Sequence, residues 1–133
     1  MKKAFLLLAI AGIGFVACKK EETPAEKTTS QKIVGTWKGD TQTTTITGLP
    51  PQTDDLSYVS FNFMSDGTYT TDSAGVSQDN GTWSAPSSSA FVLDSIKFDI
   101  RLLNDTQFNL GLDTTIDFFG TPLAVDVLLK MKK

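Results

Sequence analysis

The chain has 133 residues, carries a formal net charge of −3, and contains a single cysteine and no histidine. Without histidine it lacks the commonest general base and the commonest metal ligand, so Ser-His or Cys-His nucleophilic chemistry and a zinc centre are disfavoured, and no cofactor, metal or catalytic residue is expected. One cysteine permits no disulfide within the chain, and the acidic balance argues against nucleic acid, whose phosphates call for a basic face.

The elements begin with a short positive region, Met1-Lys2-Lys3, followed by an apolar run from Ala4 to Val16 and then Ala17-Cys18. Positive start, apolar middle and small residue at a cut is the layout of a secretory signal, and the run is shorter than the roughly 20 residues a spanning helix needs. Phe15-Val16-Ala17-Cys18 resembles the lipobox of bacterial lipoproteins, with Phe15 in place of the usual Leu. That resemblance implies cleavage between Ala17 and Cys18 and acylation of Cys18, with palmitate-type chains as the anchor. Two or more acyl chains would hold the protein on a membrane without any transmembrane helix. Residues 1–17 are thus expected to be signal peptide and 18–30 a polar tether. Cys18-Lys19-Lys20-Glu21-Glu22 also resembles the export signals of Bacteroidetes surface lipoproteins, which implies the outer membrane and its exposed face.

A single small domain is expected over 31–133. It holds seven Lys or Arg against twelve Asp and no Glu, which argues against electrostatic adhesion to anionic lipid. Its apolar pattern has period two. Val59, Phe61 and Phe63 share a face, Ser65-Asp66-Gly67 turns the chain, and a strand returns over Thr68–Ser73. Further strands are expected over Ile33–Lys38, Thr41–Thr47, Val76–Ser84 and Phe91–Asp94. Ile96, Phe98, Ile100 and Leu102 alternate with Lys97, Asp99 and Arg101; Phe108, Leu110 and Leu112 follow; Leu123, Val125, Val127, Leu129 and Met131 form the last face. Alternation of this kind means an antiparallel sheet with one buried face. About eight strands joined by short turns predict an all-β, up-and-down barrel, with a β-sandwich as the alternative.

A glycine–threonine–aromatic triplet occurs at Gly35-Thr36-Trp37, Gly67-Thr68-Tyr69 and Gly81-Thr82-Trp83. With Phe61-Asn62-Phe63-Met64-Ser65-Asp66 before the second triplet, the order resembles the lipocalin-like domains of Bacteroidetes lipoproteins. The resemblance implies a lipocalin-like antiparallel barrel and a small hydrophobic ligand. It does not extend to the second and third lipocalin motifs, nor to an Arg-x-Tyr carboxylate clamp. Trp37, Phe61, Phe63, Tyr69, Trp83 and Phe98 are the candidate core or ligand aromatics, with packing the expected role of the two tryptophans.

The remaining candidates lie between strands. Leu49–Asp55 reads as a stiff polar loop. Asp113–Gly120 reads as a loop before the last strand, and Phe118 and Phe119 cannot share one face of a strand. Packing of both beneath the loop is the expectation, and exposure of one at a barrel mouth the alternative. Asp72-Ser73-Ala74 and Asp113-Thr114-Thr115 resemble the O-glycosylation sequon of exported Bacteroidetes proteins, which makes Ser73 and Thr114 candidate sites in expected turns. Two roles remain open: a monomeric, membrane-anchored barrel that binds a small hydrophobic ligand, or a filled barrel that serves as an envelope scaffold.

Overall fold

The structure, a computed structural model, describes residues 26–133. Ala17, Cys18 and the expected cleavage between them lie outside the described residues. A short helix, α1 (Thr29–Ile33), precedes nine strands: β1 (Gly35–Ile46), β2 (Gln52–Asp55), β3 (Val59–Phe63), β4 (Thr68–Ser73), β5 (Val76–Ser87), β6 (Ala90–Leu93), β7 (Ile96–Leu103), β8 (Gln107–Phe118) and β9 (Thr121–Lys132). Every pairing is antiparallel, and β9 returns to β1, from Lys38↔Lys132 to Ile46↔Val125. The sheet therefore closes into an eight-stranded up-and-down barrel, and β2 is an additional strand.

Three readings of the sequence need correction. The folded part starts ahead of Gln31, because Thr28 and Gln31 form a reciprocal cap on α1: Thr28 Oγ1 accepts from the Gln31 amide at 3.2 Å and Gln31 Oε1 accepts from the Thr28 amide at 2.9 Å. Gln52–Asp55 is a strand and not a loop. Both β2 and β3 pair with β1 on the side away from β9, so they form one strand broken at Leu56. Leu56 crosses directly over Gly39, and a Cβ on Gly39 would collide with the Leu56 carbonyl. The close approach requires glycine there.

The third correction concerns Leu102. The ladder between β7 and β8 passes from Ile100↔Leu110 to Leu102↔Asn109, leaving Arg101 as an extra residue. This bulge turns Leu102 outward, to 39% exposure, and gives its inward place to Leu103. The Arg101 side chain lies flat over Gly111, where any Cβ would meet its guanidinium. It reaches Asp126 and Asp113 on the two following strands. The Arg101 hydrogen bond holds the Asp126 carboxyl below its ordinary value. Asp113 is raised, chiefly by its hydrogen bond to Asp126 and then by burial and repulsion. For a lowered carboxyl, the stabilisation is complete above the ordinary value of 3.8 and fades as pH falls through the lower folded value. Arg101→Ala should therefore cost at most about 1 kcal/mol near neutral pH. Urea midpoints taken at neutral and acid pH should show the gap to wild type closing in acid.

The interior is a cluster of rings. Trp37, Phe63, Phe91 and Phe108 are fully buried, and Ile33 of α1 seals them from below. Phe63 stands 5.6 Å from both Trp83 and Phe91, and Phe91 stands 5.4 Å from Phe108, all edge to face. The polar atoms that the rings carry inward are all bonded. Trp37 Nε1 donates to the Ile33 carbonyl at 2.7 Å and Trp83 Nε1 to the Met64 carbonyl at 3.0 Å. Each bond ties a ring to the chain at the same end of the barrel, which fixes α1 as the plug and leaves the far end for a site.

Candidate functional site: the open end of the barrel

Opposite α1, unequal strand lengths shape the wall. β1, β8 and β9 run for 12 residues each, whereas β6 runs for 4. β7 accompanies β8 only as far as Gly111, and β6 joins β5 only from Trp83 onward. β2, β1, β9 and β8 therefore rise as a four-stranded flange, and the wall beside it is notched down to the β6–β7 turn. Among the described residues, the exposed large apolar side chains other than Leu102 gather at this end: Leu49, Tyr58, Val76, Ile96, Ile116, Phe118 and Phe119.

The flange inherits its inner face from the core. In β9 the alternation that buries Met131 continues through Leu129 and Val127 to Val125 and Leu123, and Leu123 pairs with Ile116 while Val125 pairs with Ile46. Gly48, at φ +86, lets the chain after β1 fold back, and the Leu49 amide donates to the Ile46 carbonyl at 2.9 Å. Ile46, Thr47, Gly48, Leu49, Ile116, Phe118 and Leu123 then line a cleft of about 280 Å3. The lining is aliphatic and aromatic except for Thr47 and Gly48. It can hold an apolar group by burial and presents no acid or base to it. The charges stand outside: Asp113, Asp117 and Asp126 alternate with the inward positions of β8 and β9, and Arg101 reaches Asp113 and Asp126.

Neither Phe118 nor Phe119 packs beneath a loop, which corrects the expected arrangement of this segment. Asp113–Phe118 belongs to β8, and the connection to β9 is the two-residue turn Phe119-Gly120 with φ of +52 and +82. Both turn residues are left-handed, a conformation that suits glycine or asparagine and strains a bulky aromatic. Phe119 is nonetheless 93% exposed and packs only edge-on against Phe118, at 4.8 Å. Phe119→Asn should raise stability by roughly 0.5–1 kcal/mol, read as a higher melting temperature, because the folded chain gains nothing from this ring that offsets its backbone strain.

The six candidate aromatics divide into two groups. Trp37, Phe63, Tyr69 and Trp83 lie in the core. Phe61 and Phe98 are half-buried on top of it, Phe61 stacked on Phe63 at 6.2 Å and Phe98 tilted against Phe91 at 6.4 Å. Ser73 ends β4 and is half-buried; Thr114 is exposed within β8, a strand and not a turn. Leu123 belongs to the apolar face expected for the last strand, but neither it nor Ile46, Leu49 or Ile116 was expected as a site residue. The signal for Ile116 was the period-two run of β8, which continues past Leu112 through Thr114 and Ile116 to Phe118. Among the described residues, no group of three or more acidic or cysteine side chains is arranged to hold a metal. No family model, curated protein or solved structure matches the chain.

Proposed function

We propose that this chain is a lipid-anchored envelope protein whose barrel binds a small hydrophobic ligand, without catalysing a reaction, in the cleft at its open end. The observation that carries the reading is the cleft itself: an apolar concavity of about 280 Å3, walled by Ile46, Leu49, Ile116, Phe118 and Leu123, that the fold leaves uncovered. Its volume lies at the small end of ligand sites, which suits one ring or a segment of an acyl chain. The barrel centre is the less favourable place, because the rings of Phe63, Phe91 and Phe108 already fill it.

The described chain enters beside the plugged end, and the cleft lies at the opposite end of the barrel. The filled core also favours the second reading, a scaffold whose surface and not its interior does the work.

The test is titration of the full chain in detergent with a fluorescent short-chain fatty acid. Saturable binding is expected, with Ile116→Asp weakening it by about tenfold at unchanged fold, since burying a carboxylate against the ligand is costly. Equal binding by the variant, or no binding, would overturn the ligand reading. In cells, Cys18→Ala should leave the membrane fraction or accumulate as uncut precursor; unchanged fractionation and processing would overturn the anchor.

A further inference from the structure

The upper half of β8 has a partner on only one side. From Leu112 to Phe118 it pairs with β9, while its pairing with β7 ends at Asp99↔Gly111 and the remaining residues of β7, Ile96 to Phe98, pair with β6 alone. The direction of its backbone groups follows from the turn. A two-residue hairpin closes on a mutually hydrogen-bonded pair, here Phe118 and Thr121, so even-numbered residues of β8 bond to β9 and odd-numbered ones point the other way. The lower half obeys the same parity: the Gln107 carbonyl accepts from Asn104 on the β7 side, and the Thr106 carbonyl accepts from Lys133 on the β9 side. Asp113, Thr115 and Asp117 therefore direct their amides and carbonyls outward along an exposed edge. Their side chains share the outer face, and those of Thr114, Ile116 and Phe118 share the inner one.

We propose that this edge is a strand-addition site for an extended peptide segment of another protein, one that alternates apolar and basic residues. The backbone supplies the ladder, as in other recognition by an added strand. The apolar positions of the incoming strand would continue the inner face beside Ile116 and Phe118. Its basic positions would lie beside Asp117, and beside Asp113, whose carboxylate Arg101 also contacts at 3.4 Å; opposite charges across a strand pair are favourable and like charges are not. The acidic edge also disfavours a second copy: antiparallel pairing centred on Thr115 sets Asp113 against Asp117 of the other chain. A lipid surface offers no row of donors and acceptors to match the edge. The site adjoins the cleft proposed above, whose Ile116 and Phe118 the added strand would flank, but its ladder is made by the outward backbone groups of Asp113, Thr115 and Asp117, none of which lines the cleft.

The experiment uses the full chain in detergent and two labelled, terminally blocked peptides, one alternating Lys and Val and the other Glu and Val. Fluorescence anisotropy should show the Lys/Val peptide binding, and the Glu/Val peptide binding at least about tenfold more weakly. Thr115→Pro removes an outward amide without touching the β9 ladder, and should weaken Lys/Val binding by about tenfold while fatty-acid binding in the cleft persists. Hydrogen exchange gives a second readout should that variant not fold. In the wild-type chain the Asp113, Thr115 and Asp117 amides should exchange fast, and should slow when the Lys/Val peptide is added. Equal binding of both peptides, no binding of either, unchanged affinity in Thr115→Pro, or amides already protected without peptide would each overturn the proposal. So would a dimer in sedimentation that Thr115→Pro dissolves, because the edge would then belong to a second copy.

Discussion

Phe63→Ala is expected to lower the unfolding free energy by about 4 kcal/mol, seen as a large fall in the urea midpoint. The size follows from position. The Phe63 ring is 1% exposed and lies within ring-contact distance of Phe61, Tyr69, Trp83, Phe91 and Phe108. Truncation removes the transfer energy of the ring and leaves a hole that five rigid neighbours cannot collapse into. A small domain holds only about 5–15 kcal/mol in total, so the variant should retain a marginal fold or none at 37 °C. Phe118→Ala is the matched control. It deletes the same atoms from a side chain that is 58% exposed, and its cost should stay near 0.5 kcal/mol. Equal losses at the two positions would mean that the ring cluster is not what holds the barrel together.

The contrast between these two phenylalanines marks how far the sequence could be read. Alternation located the hairpin that turns after Phe63 and the run from Leu123 to Met131, because a strand with one wet face must alternate, and the closed barrel follows from a meander of such strands. Bulges interrupt that logic. The extra residue at Arg101 inverts the sides of Leu102 and Leu103, and the one between Gly39 and Thr41 joins two expected strands into one. Nothing in the apolar pattern announces either bulge. The glycines that make room for them, Gly39 and Gly111, acquire a reason only once Leu56 and Arg101 are in place. The cap at Thr28 was visible as Thr-x-x-Gln, yet it sits in a polar stretch that resembles a tether, and the helix it starts is five residues long. The flange was hidden for a related cause. Asp113, Thr114, Thr115 and Asp117 make β8 look like a loop, because above Gly111 the strand is exposed and carries polar side chains on its outer face. The candidate site is therefore a place where strand continues after the core has ended, and composition alone cannot separate that from a turn.

The second large effect is expected at alkaline pH. Tyr69 opens the middle triplet's strand, and its hydroxyl donates to Asp94 at 2.8 Å, while the other Asp94 oxygen accepts from the Thr82 amide at 3.0 Å. Gly81 leaves the space that the Tyr69 ring and the Asp94 carboxylate occupy. Two of the three triplets are joined at this point, which ties β4 and β5 to the turn after β6. Burial, and then the hydrogen bond and charge of Asp94, push the Tyr69 hydroxyl up from 10.0 to about 12. The folded state thus keeps a proton that the unfolded chain gives up near the ordinary value. Below that value the stabilisation is complete; from about pH 10 to about pH 12 the folded state binds more protons, and stability falls with rising pH by up to roughly 1.4 kcal/mol per unit. The total loss should be about 2–3 kcal/mol. Tyr69→Phe lacks the proton and the hydrogen bond together. It should begin about 1 kcal/mol less stable at neutral pH, show a flatter alkaline limb, and cross the wild-type curve at about pH 11. Denaturant melts of both proteins across this range read the effect directly. Parallel alkaline limbs would mean that the Tyr69–Asp94 contact does not form in solution, and the join between the second and third triplets would have to rest on their backbone ladder alone.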